Sequence, residues 1–508
     1  MFDSKTYLFV SIFIFMFFYI YGKGRPYFVK TYLKKRIEFK KSFCDNVDDF
    51  LRFFTLASIF VIPFSTALTN LFILIVAISF PFSRAIQLHW RLIYQHPVSK
   101  ASLIFFTLLA LSLIWSDSSL DEKFRWLFKY RKILIVPLLI IIFASCDYHQ
   151  LIKKILISAL IINLLISTSN YFGLTSIGSL HFNDETRSAW VNKDHIVMSV
   201  LSALLFGICV YQARAKWIKI TKLKLGWENN LLTINSKSAH LINLKRICYL
   251  IWQNKIAWIC YALSLLCLAN VFIMLKGRTG QVACIGLIIY FGHQSIKQFY
   301  LSLLARNLKQ RFLSLMIIVL ISLSILLSIA YFSKNSITRT WQECSEYINE
   351  NKITSAGLRI EFYNRAIKLF KKRPLLGYGV SSVKTKFEKL SAGKSNESDF
   401  IIGNVHNQYL QLMIEVGLIG LSVFFYWIIE IIRAIKNLSN TASKPILSIY
   451  LLIFLIGSCF NSLLLDFTEG HLLVLLIGAL LAPASLAPAS SASIDHTNRL
   501  AKDQFDDF

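Results

Sequence analysis

The sequence predicts an all-α polytopic membrane protein, and three observations favour this fold class. Of the 508 residues, 55% are hydrophobic and only 16% are charged, and the mean hydropathy is positive at +0.54. Charged residues make up roughly 25% of an ordinary soluble protein, so a water-soluble enzyme and a disordered chain are both excluded. The apolar residues form continuous runs instead of alternating, which favours membrane-spanning helices over β-strands.

Runs long enough to cross about 30 Å of hydrocarbon predict about 12–13 transmembrane helices. The runs lie at 7–21, 53–67, 68–82, 101–115, 132–146, 155–172, 195–212, 256–275, 279–296, 312–332, 407–432, 446–465 and 470–486. The first run is short and could instead lie in the membrane interface. The two runs 53–67 and 68–82 could form one helical hairpin, because Pro63 and Thr69-Asn70 are the only residues that interrupt them.

These runs divide the chain into five predicted regions. The regions are an N-terminal hydrophobic segment with a basic cytoplasmic linker (1–51), a transmembrane region (52–332), a large loop (333–406), C-terminal transmembrane helices (407–486) and a cytoplasmic tail (487–508). The tail begins in an Ala/Pro/Ser-rich stretch, a composition typical of disorder.

The formal net charge of +27 follows from the way membrane proteins distribute basic residues. Lys and Arg gather in cytoplasmic loops, so this charge does not indicate a nucleic-acid partner. Three short segments on the opposite face, 173–194, 276–278 and 466–469, carry few basic residues. Short loops set the orientation, so we expect the long loop 333–406 to face the periplasm.

The cysteines and motifs indicate neither a metal site nor a cofactor. The nine cysteines are scattered, and most of them lie in apolar runs. No C-x-x-C pair or Cys/His cluster at zinc spacing occurs, so no disulfide framework or structural metal site is indicated. The chain also lacks a P-loop for a nucleotide.

The long loop contains a predicted amphipathic helix. Residues 356–373 carry apolar side chains at helical spacing, Ser355 is a candidate N-cap, and Pro374 ends the pattern. Basic residues 371–373 end the helix beside its apolar stripe, which predicts a helix lying on the membrane surface and anchored to anionic head groups. A tight turn follows at 375–379.

Two arginines are candidate anion-binding residues. Arg278 stands between two glycines in the break between apolar runs, where a helix N-terminus and a closely approaching backbone favour phosphate. Arg359 lies in the first turn of the predicted loop helix. Guanidinium groups match phosphate oxygens bidentately and stay charged. Each arginine could instead be an ordinary interfacial or solvated charge.

His406 is the candidate for proton transfer. It precedes Asn407 at the mouth of the run 407–432, and imidazole accepts a proton near neutral pH. Gly417 and Gly420 follow one helical turn apart, which fits close helix packing that would hold His406 rigidly. Alternatively, the histidine could be a helix cap. Two weaker polar groups are Asp466, Glu469 and His471, and Asp184, Glu185, Arg187 and His195.

These residues resemble those of a known family. His406-Asn407, nine residues, Gly417, two residues and Gly420 resemble the signature of bacterial O-antigen ligases. Arg359 and the stretch Pro374-Leu-Leu-Gly-Tyr-Gly379 look like the upstream part of the same family, and the arginine-glycine break at 278–280 is also similar. The family also includes O-antigen polymerases and protein O-oligosaccharyltransferases. Residues 1–51 have no recognised counterpart.

The resemblance implies a GT-C-like membrane glycosyltransferase in the bacterial inner membrane, with its active site facing the periplasm. Such ligases are inverting and metal-independent, and they move a glycan from undecaprenyl diphosphate to a sugar hydroxyl of lipid A–core. By carry-over, Arg278 and Arg359 would hold the diphosphate and His406 would act as the base or orient the acceptor. Asn407, Asp466 and Arg187 are expected to support them. The alternatives are an O-antigen polymerase, a protein O-oligosaccharyltransferase and, more remotely, a lipid-linked sugar transporter.

Overall fold

Helices form the regular structure of the protein. The computed structural model describes residues 37–178, 189–228, 255–303, 331, 334, 337–350, 352–391, 403–438 and 443–483. This part of the chain contains helices and no strands. Five of its helices are long and apolar enough to cross a membrane. The predicted all-α polytopic membrane fold is therefore confirmed.

We number the α-helices in chain order. They are α1 Ile37–Val61, α2 Thr66–Ser79, α3 Arg84–His89, α4 Leu92–Gln95, α5 Pro97–Leu111, α6 Leu120–Tyr130, α7 Ile135–Ile142, α8 His149–Tyr171, α9 His195–Glu228, α10 Lys255–Ala269, α11 Arg278–Leu303, α12 Ser355–Lys372, α13 Ser382–Ser391, α14 Gln408–Asn437, α15 Ser443–Gly457 and α16 Phe467–Leu480. Residues 337–350 are also helical, and a π-helical turn, Asn270–Leu275, extends α10.

Several predicted spans differ from the observed helices. The run 132–146 begins in a 3-10 turn, and its α-helix, α7, has only eight residues, too short to cross roughly 30 Å of hydrocarbon. The run 446–465 ends as a helix at Gly457 because a polar turn follows. The runs 7–21 and, except for residue 331, 312–332 lie outside the described residues, so the total of about 12–13 spans stays a prediction.

The connections that carry the candidate residues meet at one end of the helix bundle, which we call the site end. The backbone N–H of Gln408 donates to the Ser458 carbonyl (2.8 Å), joining the start of α14 to the end of α15. A Cβ added to Gly277, just before α11, would overlap Ser199 near the start of α9. Trp115 donates through Nε1 to the Leu376 carbonyl (3.2 Å), joining the end of α5 to the long loop.

The long loop has a small core of its own, formed by one face of α12 that packs against α13 and the first turns of α14. Another face of α12 carries Ile367, which is 41% exposed, so a helix lying on the membrane surface stays a prediction. The buried members of this core are Phe362, Ala366, Leu369, Tyr378, Val383, Phe387, Val405 and Ile414. The expected N-cap is one residue off, because Thr354 accepts through Oγ1 from the Gly357 N–H (3.1 Å). Burial of apolar surface thus fixes α12 to α14.

A joint of four backbone hydrogen bonds connects this loop to a kink in α14, and we call it the loop–kink joint. Leu418 and Ile419 donate to the carbonyls of Pro374 and Leu375 (2.8 and 3.2 Å). In return, the N–H groups of residues 378 and 379 donate to the carbonyls of residues 414 and 415 (2.8 and 2.7 Å). The turn 374–379 therefore replaces the helical partners that the kink removes.

Gly417 makes this kink possible, which corrects the expectation that it packs within a regular helix. Its φ is +63° and its ψ is −161°, a conformation that L-residues with a Cβ rarely adopt. A Cβ at this position would also overlap the Leu375 carbonyl. Gly420 is helical, and a Cβ there would meet the Val416 side chain of the same helix. Gly417 therefore permits the kink, whereas Gly420 lies in a regular part of the helix.

We predict that Gly417→Ala destabilises the protein by roughly 2 kcal/mol or more, because strain at positive φ adds to the overlap with Leu375. Gly292→Ala in α11 is the matched control: that glycine has open space around it, and alanine favours a helix. The measurement is thermal unfolding of the purified chain in detergent. Equal unfolding midpoints for the two variants would contradict the structural role assigned to Gly417.

Candidate functional site

The site end brings together Arg278, Arg359 and His406, which are far apart in the sequence. Asn461, in the turn between α15 and α16, links two of these regions. It donates through Nδ2 to Thr279 Oγ1 (2.6 Å), and its side chain raises the pKa of the nearby His406 imidazole. The charge of Arg278 lowers the pKa of Arg359, and the charge of Arg359 lowers the pKa of His406, so the three groups lie near one another. The three side chains thus surround one region.

Arg278 is the first residue of α11 and follows a sharp break. Lys276 adopts the left-handed conformation (φ 53°), and Gly277 packs so closely on α9 that a side chain would overlap the His195 carbonyl. Arg278 Nη2 donates to Glu343 Oε1 at 3.0 Å, and one third of its side-chain surface is exposed. Its guanidinium is therefore accessible but already paired with a carboxylate.

Glu343 is a central residue of the site that sequence reasoning did not select. Its Oε1 accepts from Arg278 and from Arg339 (both 3.0 Å), and its Oε2 accepts from the Ala356 N–H at the start of α12 (3.2 Å). Burial raises the pKa of this carboxyl, but the hydrogen bonds and charges of the two arginines and the Ala356 N–H outweigh it. The net pKa lies below the usual value, so Glu343 is ionised at neutral pH.

Arg359 is the fifth residue of α12 and is half-buried. Burial lowers its pKa most; Tyr363 raises it, the charge of Arg278 lowers it, and Glu343 raises it. A guanidinium starts so far above neutrality that it stays charged despite this shift. The guanidinium is therefore a fixed cation within the protein.

His406 is held in a left-handed backbone conformation (φ 55°) immediately before α14. Its N–H donates to Asn404 Oδ1 (2.9 Å), and its carbonyl accepts from the Tyr363 hydroxyl (3.1 Å). Burial lowers the pKa of the imidazole most and the charge of Arg359 lowers it further, whereas the Asn461 side chain raises it. The net pKa is below 6.5, so the ring is neutral at pH 7 and can accept a proton.

Asn407 is the helix cap in this region. Its Oδ1 accepts from the N–H groups of Tyr409 and Leu410 (3.0 and 3.1 Å), and its Nδ2 donates to the Cys459 carbonyl (2.9 Å). These bonds satisfy N–H groups that the first turn of a helix leaves unpaired. The alternative that His406 caps this helix is therefore not what the structure shows.

Asp466, Glu469 and His471 belong to a different group of side chains. Asp466 stands at the N-cap of α16, and its carbonyl accepts from Lys132 Nζ (2.7 Å). Glu469 and His471 are buried in α16, and His471 Nδ1 pairs with the Phe467 carbonyl (2.8 Å). This group surrounds Lys132. His195 stacks on Trp190 (ring centroids 5.4 Å apart), and Asp184, Glu185 and Arg187 lie outside the described residues.

One residue of the site that the motifs did not select, Asn461, could have been found from the sequence. Asn461 and Ser462 lie within a predicted apolar span, and polar residues at such positions are a reason to suspect function. Ser462 donates through Oγ to Asn404 Oδ1 (2.7 Å), so this turn also supports the segment before His406. Glu343 and Tyr363 carried no comparable signal. Among the described residues, no group of three or more His, Cys, Asp or Glu side chains could hold a metal ion.

Fold and site together define a polytopic membrane protein with two arginines and a neutral histidine at one end of its helix bundle. Comparison with protein families gives a more particular result: residues 263–425 match the family model described as Wzy_C, O-Antigen ligase. This part of the chain is therefore similar to the O-antigen ligase family, whose members are glycosyltransferase-like membrane enzymes. No curated protein sequence matches the chain significantly. The matched range contains all three of the residues that meet at the site end.

Proposed function

We propose that this protein is an O-antigen ligase. It transfers a polysaccharide from undecaprenyl diphosphate to a sugar hydroxyl of lipid A–core, on the periplasmic face of the bacterial inner membrane. The observation that carries the proposal is the meeting of Arg278, Arg359 and His406 at the site end. The family match and the few basic residues in short loops at this end support it.

In this proposal, Arg278 and Arg359 bind the diphosphate of the donor. A glycan diphosphate diester carries two negative charges, and more charge develops on it as the bond to the sugar breaks. Guanidinium groups placed in advance stabilise that charge, a contribution often worth several kcal/mol. Arg278 also stands at a helix N-terminus, where free N–H groups and the helix dipole favour phosphate.

His406 serves as the general base. The acceptor hydroxyl attacks the anomeric carbon from the face opposite the diphosphate and transfers its proton to the neutral imidazole. The bond between the anomeric carbon and the diphosphate oxygen breaks, and the configuration inverts. A base in hydrogen-bond reach contributes roughly 10²–10⁴-fold to such a reaction. The activated donor supplies the energy, so no nucleotide is required.

We predict that His406→Ala abolishes ligation while the protein still accumulates in the membrane, because the hydroxyl loses its base. A deletion strain carrying this variant should show unsubstituted lipid A–core on a gel and long undecaprenyl-linked chains. His293→Ala, at an exposed position of α11, should restore ligated lipopolysaccharide. Core that bears a single repeat unit would indicate a polymerase instead. Normal ligation by His406→Ala would remove the catalytic assignment.

The pH dependence tests the influence of Arg359 on this base. Transfer should be constant near pH 7 and fall only below pH 6.5, because burial and Arg359 lower the pKa of His406 and the neutral form reacts. Arg359→Gln removes a positive charge, so the pKa rises and the acid limb of kcat/KM moves to higher pH. Arg359→Lys keeps the charge, and its acid limb should stay near that of the wild type. An unchanged acid limb in Arg359→Gln would contradict this coupling.

A further inference from the structure

The anion site contains a carboxylate of the chain itself. Glu343 takes its hydrogen bonds from Arg278, from Arg339 and from the Ala356 N–H at the N-terminus of α12. Guanidinium groups and helix N-terminal N–H groups are also the donors that bind phosphate oxygens. Glu343 therefore occupies a position suited to a phosphate oxygen.

The surroundings of Glu343 keep it in this place. Its side chain is only 14% exposed, and its backbone carbonyl accepts from Thr354 Oγ1 (2.6 Å), the residue that caps α12. Its own helical segment and the start of α12 are thereby fixed to each other. An anion that binds Arg278 must consequently compete with an ordered, ionised carboxylate.

The charges near Arg278 favour a competitor with more than one negative charge. Arg278, Arg339 and Arg359 oppose the single carboxylate of Glu343. A phospholipid phosphodiester carries one charge, as the carboxylate does, so exchanging one for the other gains no Coulomb energy. A diphosphate diester carries two charges and can reach both Arg278 and Arg359. The displaced Glu343 would keep Arg339, four residues earlier in the same helix.

We propose that Glu343 is a specificity-determining residue that excludes singly charged phospholipid head groups from Arg278 and admits a diphosphate. This inference rests on the proposed function, in which Arg278 and Arg359 bind the diphosphate of the donor. Excluding phospholipid head groups is useful in a membrane, because the enzyme meets a large excess of phospholipid phosphate there. A bare arginine pair would be occupied by those head groups.

The test compares lipid binding by the purified full-length chain and its Glu343→Gln variant in detergent. The two probes are a sugar-linked prenyl diphosphate and phosphatidylglycerol, and native mass spectrometry gives both affinities. Glutamine keeps the size and an oxygen acceptor but removes the charge. We expect Glu343→Gln to bind phosphatidylglycerol roughly tenfold more tightly, which corresponds to one lost charge interaction, and to prefer the diphosphate less.

The matched control is Glu346→Gln in the same helical segment. Glu346 pairs with Lys352 (2.9 Å) and not with the site, so this variant should bind both lipids as the wild type does. In an Arg278→Gln background, the effect of Glu343→Gln should disappear, because the carboxylate acts through that arginine. Unchanged phosphatidylglycerol affinity in Glu343→Gln would overturn the proposal.

Two further outcomes separate this inference from the proposed function. Wild-type protein should prefer the diphosphate lipid, a result that does not depend on any variant folding. Equal affinity of the wild type for both lipids would overturn the role of Glu343 even if transfer activity is present. Failure of the wild type to bind the diphosphate lipid at all would instead contradict the proposed function.

Discussion

The loop–kink joint is the interaction on which the rest of the site depends. A kink within an apolar helix frees backbone groups, and at membrane depth water does not satisfy them, so other parts of the protein must. Here the turn 374–379 supplies those partners through four backbone hydrogen bonds. The joint fixes α12, which carries Arg359, to α14, which follows His406. It also gives a physical reason for glycine at 377 and 417, since a side chain at either position would overlap backbone of the other segment.

A second connection adds Arg278 to this pair. The turn after α15 reaches Thr279 and His406 through the Asn461 side chain, and Asn404 through Ser462. The end of α15 and the starts of α11 and α14 are therefore held by short-range polar contacts around one region. Such an arrangement holds charged groups in place before a substrate arrives, which is how fixed cations contribute most to stabilising a developing negative charge.

Local patterns in the sequence predicted the fold class and selected the three principal side chains. Hydropathy identified the helices because membrane insertion depends on apolar length, and His406 stood out beside its glycines. The residues that contact these side chains were not predictable in this way. Glu343 and Tyr363 contact residues far from them in the sequence, and local periodicity does not reveal such contacts. The packing of one face of α12 on α14 was not predictable either, because the two helices are distant in sequence. The same limit explains one error, since Gly417 was expected to pack where it actually breaks a helix.

The most direct measurement is an experimental structure of the full-length chain in a lipid nanodisc with a sugar-linked undecaprenyl diphosphate bound. We expect the diphosphate between the guanidinium groups of Arg278 and Arg359, with the first sugar facing the His406 imidazole. A diphosphate bound at the Lys132 group, or Arg278 and His406 facing separate cavities, would contradict it.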